Sequence, residues 1–219
     1  MTVLLWLYKH TKSELKIVLA SLTVLIFLPA MAVVVVAASG VQLVGDALAA
    51  LNPVTHLVEI FDTNGNVIGE VELTTNWPST GYVSDEFGTH GEWRKELGLG
   101  VHNGIDVANQ FGLVGEPITP FMSGTIAYVD NIDDSSCGKH VKLNHDFNIT
   151  STYCHMDSAV DRLQGSEVHP GDIIGYMGDT GTSTGPHVHF IVRIYGIAIN
   201  PRTFLVGEPE GSTVVTPNF

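Results

Sequence analysis

Five histidine and aspartate side chains sit in three short signatures along this chain: His102-Asn103-Gly104-Ile105-Asp106, Tyr153-Cys154-His155 and His187-Val188-His189. Imidazole nitrogens and a carboxylate oxygen suit Zn2+, and three protein ligands leave a fourth position for water. The set supplies three ligands and leaves two imidazoles over. Metal-assisted hydrolysis of a peptide bond asks for that combination, a Lewis acid beside groups that move protons. Taken singly, each signature has an ordinary explanation. His102 and Asp106 can pair on a loop, His155 can be a ligand, a general base or a core histidine, and one H-x-H arises readily among ten histidines.

Those side chains must be delivered by particular elements. His187 opens a strand-like run, and alternation along a strand puts His187 and His189 on one face, with Val188, Phe190, Val192 and Ile194 on the other. Upstream, Gly181-Thr182-Ser183-Thr184-Gly185-Pro186 reads as a tight loop presenting the pair. The same loop matches G-x-S-x-G, but a nucleophile elbow needs a helix after the serine, and here Pro186 and a strand follow. Gly104 allows a turn between His102 and Asp106. The helix-borne H-E-x-x-H motif is absent. His140 and His145 read as surface or hairpin residues, and His10, His56, His90 and His169 have no motif around them.

The wider pattern is mainly β. Leu57–Phe61 and Val67–Leu73 flank Asp62-Thr63-Asn64-Gly65-Asn66, and Asn-Gly between β-prone runs predicts a hairpin. Asp62-x-Asn64-x-Asn66 lacks the glycine that a calcium loop needs at its sixth position, where Val67 stands. From Trp77 onward, short β-prone runs alternate with Gly, Pro, Asn and Asp, which predicts an antiparallel sheet or sandwich. Only Asp157 to Leu163 and Glu92 to Leu97 read as helical. The expected organisation is a cytoplasmic N-terminus over 1–16, an apolar membrane segment over 17–38 and a linker with the hairpin over 39–76. A catalytic β domain over 77–205 and a flexible tail over 206–219 complete it.

From Ile17 to Ala38 no residue is charged, and about 20 apolar residues span a hydrocarbon core as a helix. Lys9, Lys12 and Lys16 precede the run, and no Lys or Arg follows until Arg94. The positive-inside bias therefore predicts the N-terminus in the cytoplasm and the rest on the periplasmic or wall side of the cytoplasmic membrane. Ala30-Met31-Ala32 also fits a signal-peptide cleavage site, although apolar residues continue through Ala38. The chain carries 10 basic and 23 acidic residues, for a formal net charge of −13. Nucleic acid binding, which needs clustered Lys and Arg, is therefore disfavoured. Two cysteines, Cys137 and Cys154, suggest a disulfide in an oxidising compartment, with two buried thiols as the alternative.

Together the residues resemble the lysostaphin-type (LytM or β-lytic) zinc endopeptidases of cell-wall metabolism. The family pattern H-x-G-x-D, Y-x-H and G-x-S-T-G-P-H-x-H-F is met by His102-x-Gly104-x-Asp106, Tyr153-x-His155 and Gly181 to Phe190. Phe87-Gly88, Pro120 to Ile126, Val168 to Asp172 and Asn200-Pro201 are similar to the family too, so the resemblance covers about Gly81 to Leu205. It implies an antiparallel sheet framing a groove, with one Zn2+ on His102, Asp106 and His189 and with His155 and His187 as unligated catalytic residues. Cys137 and Cys154 look like a pair that bridges neighbouring strands in some members. The implied substrate is the peptide cross-link of bacterial peptidoglycan. Two alternatives remain: a non-catalytic module regulating another wall hydrolase, and a wall-remodelling part of an envelope-spanning secretion or DNA-transfer apparatus. Asn109 to Gly115 is slightly longer than the family pattern, which bears on groove shape.

Overall fold

The computed structural model describes residues 47–96, 98–109 and 111–212. The apolar run 17–38, expected as a membrane helix, lies outside the described residues; among the described ones no helix is long and apolar enough to cross a membrane.

Strands β1 (Ala49–Leu51), β2 (Leu57–Phe61) and β3 (Val67–Glu72) form a three-stranded antiparallel sheet. Its hairpin turns at Gly65, φ 83°, where glycine avoids the Cβ clash of the left-handed region. The Asp62 carboxylate accepts the backbone N–H groups of Asn64 and Asn66 at 2.8 and 2.9 Å and the Asn66 side-chain amide at 2.9 Å. Its oxygens are spent on closing the turn, not on a cation. The hairpin packs where Gly69, lacking a Cβ, lets the Phe147 ring approach β3 closely.

Among the described residues, the other ten strands form one branched antiparallel sheet. They are β4 (Tyr82–Asp85), β5 (Ile105–Ala108), β6 (Pro117–Ile118), β7 (Gly124–Asp130), β8 (Lys139–Asn144), β9 (Ile149–Ala159), β10 (Glu167–Val168), β11 (Gly175–Met177), β12 (His187–Ile194) and β13 (Ile197–Ile199). Their order is β10-β7-β8-β9-β12-β5-β4, with β13 on β12 and β11 paired with both β6 and β9. The mainly-β expectation holds, and the open choice between sheet and sandwich resolves as one hydrogen-bonded, branching sheet. Val188, Phe190, Val192 and Ile194 of β12 are fully buried. Phe190 meets Phe121 edge-on at 5.2 Å and Tyr153 at 5.1 Å, so the face opposite the histidines is the aromatic core.

Two expectations are corrected. Asp157 to Leu163 is not a helix: β9 runs on to Ala159, pinned by the pairing of Ser158 and Ala159 with Tyr176 and Gly175 of β11. Tertiary pairing overrides local propensity here. The tail is held as far as residue 212, because Trp77 Nε1 donates to the Val206 carbonyl and Gly81 N to that of Glu210. His145 lies in the β8–β9 hairpin, one of its two expected settings, with its N–H donating to the Ile149 carbonyl; its side chain is half-buried, Nδ1–H donating to the Ser123 carbonyl at 2.8 Å and Nε2 lying 2.7 Å from Ser151 Oγ. Ser151 in turn lies 3.2 Å from the buried Tyr153 hydroxyl. The short helix expected near Glu92 is present as α1 (Glu92–Glu96).

Candidate metal centre

The central strands bring the five side chains together. Register pairs His189 of β12 with Asp106 of β5 on one side and with Cys154 of β9 on the other. Alternation puts His187 and His189 on the face away from the core, as expected. His102 arrives from the loop before β5, buried to 1% exposure. Gly104 earns its place by lacking a side chain: a Cβ there would strike the Phe190 carbonyl and the His189 ring. We expect Gly104→Ala to weaken metal affinity about tenfold or more while the far core stays intact, as measured by competition with a chromogenic chelator.

His155 reaches this face by a different route. Tyr153 belongs to the core, so simple alternation would turn Cys154 outward and His155 inward. Instead His155 adopts φ 63°, and its N–H donates to the Cys137 carbonyl at 2.8 Å. This residue in the left-handed region rotates the strand, so His155 joins Cys154 on the groove face while Met156 returns to the core, fully buried. Such a conformation costs about 1–3 kcal/mol for a non-glycine residue and persists only where the surroundings hold it. The Cys137–Cys154 disulfide does part of the holding. Gly138 and Gly181 pack back to back beside it, each leaving no room for a Cβ on the other. Closing a 17-residue separation is worth about 3 kcal/mol. The Cys137→Ser/Cys154→Ser variant is therefore expected to lose about 10 °C in Tm, read by thermal unfolding, together with part of its activity.

Proton bookkeeping shows what the centre can hold. His102 Nδ1–H donates to the Glu86 carbonyl at 2.9 Å, and His189 Nε2–H donates to Asn103 Oδ1 at 3.0 Å. The inward atoms, His102 Nε2 and His189 Nδ1, then carry lone pairs 2.9 Å apart. Both face Asp106 Oδ1, at 3.0 and 2.7 Å. Three electron-pair donors thus converge, with their ligand atoms all within 4.8 Å of one another. A bare convergence of this kind is repulsive, and a small cation resolves it. The N2O donor set fits Zn2+.

The two remaining imidazoles stand alongside. His155 lies 4.7 Å from His187 and 5.9 Å from His189 between ring centroids. His155 Nδ1–H donates to the Thr180 carbonyl at 2.7 Å, and His187 Nδ1–H to the Gly185 carbonyl at 2.7 Å. Both therefore leave Nε2 as a free acceptor. Burial, with the neighbouring His187 adding to it, holds the His155 pKa down to about 4. His187 Nε2 lies 3.7 Å from Asp106 Oδ2. Ser183 Oγ donates to the Gly185 carbonyl at 2.9 Å, closing the loop, not acting as an elbow nucleophile.

Sequence reasoning missed the supports. Asp85 lies 3.3 Å from His102 Nδ1, accepts from Arg94 Nη1 at 2.8 Å and is held by Thr89 Oγ1 at 2.7 Å. Gly88, φ 80°, forms the turn in which its N–H meets the His102 carbonyl, which accounts for Phe87-Gly88. Arg202, just after Asn200-Pro201, bridges Glu86 and Glu208 at 2.8 Å each and lies over the Trp77 ring. Only Asn103, inside a motif, was within reach of the sequence.

An antiparallel sheet bearing this side-chain set on one face defines a domain of the metallopeptidase type. Residues 100–201 match the model of peptidase family M23, and that stretch is an M23 domain. Among curated relatives, DD-carboxypeptidase/endopeptidase Mpg of Neisseria meningitidis serogroup B is 34% identical over 110 residues, covering 50% of this chain. Peptidoglycan DD-endopeptidase ShyC of Vibrio cholerae is 33% identical over 76 residues, 35% of this chain and 17% of the relative. The matched segment spans only 24% of the Mpg relative. Among solved structures, a chain of the SpoIIQ–SpoIIIAH pore-forming complex superposes with a TM-score of 0.51 at 26% identity, covering 61% of this chain and 91% of that one.

Proposed function

We propose that this chain is a zinc-dependent endopeptidase that hydrolyses peptide cross-links of bacterial peptidoglycan. It works from the outer face of the cytoplasmic membrane, with residues 17–38 as its anchor. The observation that carries the reading is the convergence of lone pairs from His102, Asp106 and His189 beside two imidazoles that keep Nε2 free. The M23 match and the names of the Mpg and ShyC relatives support the substrate class.

His102 Nε2, His189 Nδ1 and Asp106 Oδ1 would hold the metal. When bound, Zn2+ supplies Lewis acidity that lowers the pKa of water toward about 7 and polarises the scissile carbonyl. The remaining work falls to the chain. His155, neutral and fixed by the Thr180 carbonyl, presents its Nε2 lone pair as the general base. His187 has the Asp106 carboxylate beside it to balance the charge it carries when it donates from Nε2 to the oxyanion. The Glu86 carbonyl and Asn103 orient the ligand imidazoles through their outer nitrogens, with the Asp85 carboxylate beside that of His102.

Incubating the full chain with peptidoglycan, with and without a zinc chelator, tests this by mass spectrometry of the products. Chelator-sensitive peptide cleavage is the expected result. Intact muropeptides from zinc-loaded, folded protein across several peptidoglycan types would overturn it in favour of a regulatory module. The likeness to the SpoIIQ–SpoIIIAH chain supports a second reading, a wall-remodelling component of a larger envelope assembly. Co-purification of a stable partner complex would favour that reading.

A further inference from the structure

The groove that holds the five site residues continues along β12. Ile191 and Arg193 follow His187 and His189 on the same face and line it, together with Arg94 and Val101 of the opposite wall. Two arginines in one groove stand out in a chain of net charge −13. Asp106, already committed to His102 and His189, is the one carboxylate among the described residues lining it.

The two guanidinium groups differ. Arg94 is ion-paired with Asp85 at 2.8 Å. Elsewhere on the surface, Arg162 faces Asp172 at 3.8 Å, and Arg202 bridges Glu86 and Glu208. Among the described residues Arg193 has neither a carboxylate nor a hydrogen-bond acceptor. Its register partners are Thr150 on β9 and Ala198 on β13, neither of which can neutralise it. It is half-buried, and burial pushes its pKa down. Removing a cation from water without a partner is unfavourable, and an incoming anion recovers that cost.

We infer that Arg193 is the anion-binding residue of this groove: it receives a carboxylate of the substrate peptide and selects acidic stems over neutral ones. The inference rests on the endopeptidase reading for its substrate but not for its chemistry. A strand rises about 3.3 Å per residue, so the Cα of Arg193 lies about 13 Å along β12 from that of His189. The side chain can lean back over Ile191. An extended peptide laid along the groove, advancing about 3.3–3.6 Å per residue, then places its carboxylate some two to four residues from the bond to be cut. Arginine suits the task because its planar fork takes a carboxylate in two parallel hydrogen bonds. The source is either the C-terminal carboxylate of the stem or a side-chain carboxylate within it.

The test is calorimetric titration of the full chain in detergent, metal-free and zinc-loaded, with a cross-linked stem peptide in three forms. One carries both carboxylates, one has the C-terminus amidated, and one has the side-chain carboxylate amidated. The wild type is expected to lose about ten- to a hundredfold in affinity for one of the two amides, which identifies the source. Arg193→Gln is expected to bind all three forms alike and weakly, and Arg193→Lys to restore part of the preference. Tm of each variant, compared with the wild type, reports on folding. Wild type that does not distinguish the three peptides would overturn the inference, as would Arg193→Gln that weakens all three by the same factor. Carboxylate discrimination without cleavage of zinc-loaded peptide mixtures would instead sink the endopeptidase reading and leave Arg193 its role. Cleavage without discrimination would do the reverse.

Discussion

Replacing His155 with alanine is expected to leave one zinc per chain and to lower kcat by about 10²- to 10⁴-fold, the usual worth of a positioned general base. The separation is possible because His155 spends Nδ1 on the Thr180 carbonyl and lies outside the converging triad. Metal analysis of the purified variant and kcat on a cross-linked peptide read the two effects independently. The backbone conformation complicates alanine, which lacks a side chain able to support φ 63°. His155→Asn is the companion variant, because asparagine tolerates the left-handed region. Loss of zinc from a folded His155→Asn protein would overturn the division between ligands and proton carriers, and full activity would remove His155 from the mechanism.

His189→Ala should have the opposite signature. Without its Nδ1, the triad keeps one nitrogen and one oxygen, and the buried Asp106 carboxylate loses its shortest partner, at 2.7 Å. Zinc content should fall close to zero, and activity to that of the chelated wild type. Stability offers a readout free of catalysis. A ligand present at a hundred times its Kd stabilises the native state by about 2.7 kcal/mol. Zinc should therefore raise the wild-type Tm by about 5–10 °C and leave that of His189→Ala unmoved. A variant whose Tm still climbs with zinc would place the ion elsewhere.

Much of the site was legible because strands write their faces into the sequence. Period-two alternation put His187 and His189 together and sent Phe190 to the core, and β12 does both. The hairpin at Asn64-Gly65 was equally plain. His155 was legible as a residue but not as a position: alternation alone turns it inward, and the rotation depends on the Cys137 carbonyl, which arrives from another loop. The run from Asp157 looked helical for a related reason, since the β11 strand that claims it lies some twenty residues ahead. Asp85 and Arg94 stayed hidden because their link to His102 spans the turn at Gly88, and nothing local marks an aspartate as the brace of a distant imidazole. Gly104 was noticed for the wrong property, as a flexible turn residue, when the closeness of Phe190 is what forbids a side chain.

The Cys137–Cys154 bond has a consequence for how the protein must be handled and where it can be finished. It fastens the chain directly before His155, through the Cys154 side chain and through the Cys137 carbonyl that accepts the His155 N–H. Reducing compartments keep thiols apart. A chain made and held there carries all five polar side chains without the clasp that sets the left-handed turn. At the bench, dithiothreitol in a buffer is expected to lower activity in part, as the double serine variant does, and a weakly active preparation calls for a check of its clasp as well as its metal.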